Sequence, residues 1–167
     1  MFTFVVEPKK GIGPIQLGMS KEEVDICMEE YDTKYYDLQR VKHFFKNTFE
    51  VEYDTEGKVI FIEVSSYVGN EKLSFTFMNI DVFETKVDEL VEKIDKISPY
   101  DRNDWELGYT YHFPELQLCF WRPNILTEQA MLEDWFKELS EDNKEYEMQS
   151  LYFSTVAIAV DGYWKRS

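Results

Sequence analysis

Apolar and polar positions along the chain follow two periods, and the change from one to the other marks the elements. Phe49, Val51 and Tyr53 alternate with Glu50, Glu52 and Asp54, a strand pattern with one apolar and one acidic face. Asp54-Thr55-Glu56-Gly57 reads as a turn, with glycine where a positive φ is needed, and Lys58 to Ser65 returns as a second strand. Leu73, Phe75 and Phe77 alternate with Lys72, Ser74 and Thr76 as a third. Phe2 to Val6 is a short β-prone run closed by Pro8. Tyr109 to Phe113 and Leu116 to Trp121 predict another hairpin, pinched at Pro114-Glu115. Ser150 to Val160 predicts a closing strand, and its Ala157-Ile158-Ala159-Val160 run predicts burial on both faces.

Between these strands the spacing is helical. Ser20 and Glu23 form a capping box ahead of a helix to about Tyr31, with Val24, Cys27 and Met28 on its inner face. Phe83, Val87, Leu90, Val91, Ile94 and Ile97 make one stripe that stops before Pro99. Thr127 is placed to cap a third helix with Ala130, Met131, Trp135, Phe136 and Leu139 inward, and Ser140 to Glu147 reads as a charged linker. Hairpins imply a mostly antiparallel sheet with helices packed on one side, an α+β layout.

Part of the pattern recurs. Gly11-Ile12-Gly13-Pro14-Ile15-Gln16-Leu17-Gly18-Met19-Ser20-Lys21-Glu22-Glu23-Val24 has a fainter copy in Ile80-Asp81-Val82-Phe83-Glu84-Thr85-Lys86-Val87-Asp88-Glu89-Leu90. Each copy runs apolar, polar, apolar, then a hydroxyl residue, a lysine, and an acid three places after the hydroxyl. The reading is a single domain, 1–167, of two helix-plus-hairpin repeats, about 1–78 and 79–167, with a helix inserted into the second near 127–140.

Composition sharpens this. At 167 residues, 44% hydrophobic and 17% aromatic, the chain can fill a core, and its 13 Phe, 11 Tyr and 4 Trp exclude a disordered acidic tail. Its 18 basic against 33 acidic residues give −15, a field that repels nucleic acid and anionic membranes and attracts basic partners. Cys27 and Cys119 stand among apolar neighbours and read as free thiols of a reducing compartment, although a disulfide between them is an alternative. The N-terminus lacks the basic start and apolar run of a signal peptide, and no apolar run approaches the length of a membrane span. A soluble, cytoplasmic protein is expected.

The candidate chemistry is sparse. His43 and His112 are the only histidines, and neither has metal-ligand spacing with another His or Cys. No serine lies in a nucleophile elbow. Gly11-Ile12-Gly13 lacks the third glycine and the Lys-Ser/Thr tail of a phosphate loop, and Pro14 removes a donor. The acidic pairs Glu22-Glu23, Glu29-Glu30 and Glu141-Asp142 read as solvated helix faces, and no cofactor, metal site or catalytic set is predicted. The more unusual feature is one face of the sheet. If Phe49, Val51 and Tyr53 point to the helices, Glu50, Glu52 and Asp54 point away, and alternation places Phe61, Glu63, His112, Trp121 and Tyr152 beside them. Carboxylates mixed with large aromatics suit a protein interface. The plainer alternative is that the inserted helix covers Phe61 and Trp121.

The Ile15-Gln16-Leu17-Gly18-Met19-Ser20 to Val24 segment resembles the helix start, "I-x-L-G-M-S/T-x-x-E-V", of the domain shared by small outer-membrane assembly lipoproteins and β-lactamase inhibitory protein. The tandem copy extends the resemblance to the two-repeat inhibitory protein, whose curved sheet grips another protein. The chain departs from that group in lacking a lipobox and matching disulfide pairs, so the resemblance implies the scaffold and its habit of binding proteins. A small, acidic chain on such a scaffold also resembles the immunity proteins of polymorphic toxin systems, which occlude a toxin domain. The expectation is therefore a non-enzymatic protein that binds a basic protein, such as a toxin domain, with its oligomeric state unassigned. The alternative is an enzyme or small-ligand protein using a cleft between the repeats, with His112 or Cys119 as its reactive group.

Overall fold

The computed structural model describes residues 2–39, 43–66 and 73–165. The chain is α+β, as expected, but its strands form two sheets rather than one. The first sheet combines β1 (Phe2–Glu7), β2 (Gly11–Ile12), β3 (Ile15–Gln16), β6 (Leu73–Phe77) and β7 (Ile80–Asp81), in the order β3-β2-β1-β6-β7. The second combines β4 (Phe49–Tyr53), β5 (Val59–Ser65), β8 (Thr110–Phe113), β9 (Leu118–Trp121) and β10 (Thr155–Ala159), in the order β4-β5-β10-β9-β8. All pairings are antiparallel except β1 with β6, where Phe4 stands beside Phe75. A parallel pair needs a long crossover and has no turn of its own, so local alternation does not announce it.

The helices are α1 (Lys21–Gln39), α2 (Phe44–Thr48), α3 (Val87–Asp95), α4 (Asp134–Lys137) and α5 (Glu141–Met148). The capping box forms as expected: the Glu23 amide donates to Ser20 Oγ at 3.1 Å, and the Ser20 amide donates to Glu23 Oε2 at 2.8 Å. α1 runs past Tyr31 because its inner stripe continues through Val24, Met28 and Tyr31 to Tyr35, which is buried and stacks on Phe44 at 4.1 Å. The second unit departs from its expected cap. Thr85 does not cap α3. Instead the Asp81 carboxylate receives the amides of Phe83 and Glu84, both at 3.0 Å, and Lys86 opens the helix without its side chain capping it. Ile97 lies beyond the end of α3 and is exposed.

The region expected as one inserted helix is broken. Thr127 Oγ1 accepts from the Ala130 amide at 3.1 Å, but only a 3-10 turn, Ala130–Leu132, and the short α4 follow. Phe136 is buried there while Trp135 is exposed. The stretch read as a charged linker is α5, capped by Ser140 Oγ, which accepts from the Asn143 amide at 3.3 Å. The 54–57 turn matches its expectation: Asp54 Oδ1 accepts from the amides of Glu56 and Lys58, and Gly57 has φ 75°. Lys72, expected in the third strand, lies outside the described residues.

One core joins both sheets with α1, α2 and α3. Its register across the second sheet includes one apolar row of Val51 beside Ile62, Ile62 beside Ile158, Ile158 beside Leu118 and Leu118 beside Phe113. Ile62, Leu118, Phe113 and Ile158 are fully buried, and Val51 packs against them half-buried. In chain order, β1, β2, β3, α1 and α2 precede the β4–β5 hairpin, β6, β7 and α3 precede the β8–β9 hairpin, and β10 then enters between the two hairpins.

Candidate functional site

The residue row next to that apolar one points the other way. Glu50 stands beside Glu63, Glu63 beside Ala157, Ala157 beside Cys119, and Cys119 beside His112. Flanking rows on the same face bring Glu52 beside Phe61 and Ala159, and Thr110 beside Trp121 and Thr155. Successive side chains in a strand alternate faces, so one register places carboxylates and aromatics from four strands on the outer surface. The central strand contributes only Thr155, Ala157 and Ala159 to it. Small side chains in the middle with large ones on either side make a hollow, a concavity of about 790 Å³.

Two walls complete the hollow. On one side the segment after β10 folds back: Tyr163 stacks on Phe61 with ring centres 4.9 Å apart, and Trp164 lies 4.8 Å from the His112 ring. The Tyr163 hydroxyl donates to Glu52 Oε2, which ties this segment to β4. Phe61 is thereby buried, to 8% exposure, by Tyr163 and Trp164 and not by the inserted helix. Trp121 keeps 38% exposure. On the other side stands the loop from Asp101 to Gly108, which contributes Asp101, Asp104, Trp105 and Glu106 to the wall.

That loop is held at many points. The Asp101 amide donates to the His112 carbonyl at 2.7 Å. Asp101 and Asp104 each accept, at 2.9 Å, from the amide two residues on, the local turn that aspartate favours. Arg102 pairs with Asp95 at 2.7 Å and lies over the Tyr100 ring. At the loop's base Arg122, 2% exposed, donates from Nε to the Gly108 carbonyl at 2.8 Å. Its Nη1 donates to the carbonyls of Ser150, at 2.7 Å, and Leu126, at 3.3 Å. On this braced loop Trp105 is 90% exposed.

The electrostatics follow from burial and crowding. Desolvation pushes the Glu63 carboxyl above the usual carboxylate range, and Glu50 and Glu52 beside it push the same way; a hydrogen bond with Thr155 opposes them. Desolvation pushes the Cys119 thiol up to about 12, helped by Asp104, Glu63 and Glu106. Burial holds His112 below its ordinary value, with Asp101 and Asp104 pulling back. Neighbouring Cys119 and His112 therefore rest as thiol and neutral imidazole, not as the thiolate and imidazolium of an activated pair. Both cysteines are free. Among the described residues no ion pair reaches Glu50, Glu63, Asp101, Asp104 or Glu106. Nor, among them, do three or more His, Cys, Asp or Glu side chains converge as a metal site.

Of the residues expected on this face, Glu50, Glu52, Phe61, Glu63, His112 and Trp121 are brought together. Asp54 and Tyr152 are not. A bulge between Glu52 and Tyr53 ends the alternation, and Asp54 turns its carboxylate to the loop amides. Tyr152 precedes β10, after a 3-10 turn at Gln149–Leu151, and packs with Leu126, Phe136 and Leu151 instead. Sequence reading missed the Asp101 to Gly108 wall and the Tyr163-Trp164 cover. The spaced aspartates before Gly108 were the available signal for the first.

Comparison of the chain with protein-family models, with curated proteins and with solved structures finds no match. No helix among the described residues is long and apolar enough to cross a membrane.

Proposed function

We propose that this is a non-enzymatic, acidic binding protein of the cytoplasm that takes a basic protein on the outer face of its second sheet. In its most specific form it is an immunity protein that occludes a toxin domain. The observation that carries the reading is the concavity itself. It combines exposed aromatic surface, which anchors interfaces, with carboxylates that no described cation neutralises. A net charge of −15 adds long-range attraction for a basic partner. The test is to read the genes adjacent to this one in its genome for a toxin domain, co-express that gene with this chain, and titrate the pair by calorimetry. Protection by the natural chain, lost on Glu50→Lys with Glu63→Lys, supports the reading; absence of protection by the natural chain sinks it.

One observation favours a second reading. His112 and Cys119, the pair named for a small-ligand or enzymatic site, do line a real concavity, and hairpins from both halves of the chain build it. Against a nucleophilic role stands the protonated state of the Cys119 thiol. Turnover that disappears in both Cys119→Ala and His112→Gln would favour this second reading.

A further inference from the structure

We propose that the concavity is an arginine-reading site: a partner's guanidinium enters between the Glu50–Glu63 pair and the tryptophan-bearing wall at Trp105 and Trp121. This rests on the binding reading above and names what the face recognises.

Shape is the first point. β10 lays Thr155 and Ala157 along the floor, while Glu63 and Trp121 rise from the strands on its two sides. A flat, planar group fits such a trough better than a round one. Charge is the second point. Glu50 and Glu63 are direct cross-strand neighbours, two carboxylates side by side with no described cation between them. Paired acceptors of this kind match the two-pronged donor edge of a guanidinium.

Hydration is the third. The floor is withdrawn from solvent, with Ala157 only 3% exposed, so an entering cation must shed water. Guanidinium is weakly hydrated and stacks on aromatic faces, whereas the lysine ammonium holds its water strongly. Preorganisation is the fourth. Trp105 reaches 90% exposure on a loop held by the Asp101–His112 and Arg122–Gly108 bonds, so little ordering is left for binding to impose. An indole left in water on a rigid loop has no folding role to account for it.

The experiment titrates the full chain with capped hexa-arginine and hexa-lysine peptides at physiological ionic strength, read by calorimetry and tryptophan fluorescence. Hexa-arginine is expected to bind about tenfold or more tighter than hexa-lysine. Glu63→Gln and Trp105→Ala should each weaken hexa-arginine by about tenfold, with Trp105→Phe retaining most of the affinity. The control is Glu22→Gln with Glu29→Gln on α1, which removes the same charge as Glu50→Gln with Glu63→Gln but lies away from the outer face, where Glu63 lines the concavity and Glu50 stands beside it.

Equal binding of the two peptides, or equal loss in the two double variants, overturns the proposal and leaves only general charge attraction. If charge reversal at Glu50 and Glu63 abolishes binding of the toxin while hexa-arginine does not bind, the arginine site is overturned and the binding reading stands. If hexa-arginine binds as expected but the chain fails to protect against the toxin, the arginine site stands and the immunity reading falls.

Discussion

Glu50 and Glu63 stand directly opposite each other on adjacent antiparallel strands, both on the outer face of the second sheet. Like charges in that position destabilise a sheet by up to about 1 kcal/mol. The half-buried Glu63 carries the cost, since its carboxyl is harder to ionise in the folded chain than in the unfolded one. Stability should therefore fall as pH rises from the ordinary carboxylate value of 4.5 through the raised value of the folded state. Glu63→Gln should abolish that slope and make the protein more stable at neutral pH, by several tenths of a kcal/mol in urea denaturation. A destabilised Glu63→Gln variant at pH 7 would contradict this account.

His112 gives a slope of the opposite sign. Burial holds its pKa below 6.5, so the unfolded chain takes up a proton more readily than the folded one. Stability should be unaffected by this group above pH 6.5 and should decline as the pH drops through 6.5 to the lowered value. Midpoints of urea denaturation measured from pH 7.5 downward should show the decline in the natural chain and a shallower one in His112→Gln.

Cys119 should be chemically quiet. With its thiol pushed up to about 12 from 9.0, its thiolate share at pH 8 is about a thousandfold below that of an ordinary cysteine. Alkylation by iodoacetamide, followed by mass spectrometry, should be slower at Cys119 in the native chain than in urea by at least about a hundredfold. Comparable rates in the two states would show that the thiol is not so held.

Arg122 should be among the most sensitive positions. Its guanidinium serves the carbonyls of Gly108, Leu126 and Ser150 while almost fully buried. Arg122→Met removes every one of those donors and should cost about 3 kcal/mol or more. Arg122→Lys should recover little, because its three donors share one nitrogen and cannot span carbonyls that the guanidinium reaches from both Nε and Nη1. Trp105 fluorescence anisotropy should drop in a Trp105-only background carrying either variant, since Gly108 closes the loop that bears it.

Gly11 leaves no room for a side chain. A Cβ built there would lie 2.2 Å from the Ile15 carbonyl oxygen, a backbone atom of the neighbouring strand that cannot step aside. Gly11→Ala should destabilise the chain by about 2 kcal/mol or more in thermal or urea denaturation.

How much of this was legible beforehand differs by element. The β4–β5 hairpin announces itself through Phe49 to Tyr53 and the Asp54-Gly57 turn, because period-two alternation and a positive-φ glycine are local signals. The outer face is legible for the same reason, and six of its residues could be named. The first sheet is not, since its β1 meets β6 in a parallel pair some seventy residues apart that no single turn connects. α5 has none of its residues buried and so shows no apolar stripe; only Ser140 and the acids after it mark its start. Tyr152 misleads because parity fails wherever a 3-10 turn interrupts it, as at Gln149–Leu151. The Trp105 loop carries its meaning in aspartate side chains bonded to backbone, which no hydrophobic period registers.

β10 lies at the centre of the second sheet but comes after both hairpins in the chain. During synthesis β5 and β9 must therefore wait with their inner edges bare until the residues around Thr155–Ala159 leave the ribosome. A nascent chain halted before that point would display two open strand edges and no floor between them, an invitation to mispairing or to a chaperone. The concavity of the outer face therefore comes into being only when β10 has been made and has joined the two hairpins.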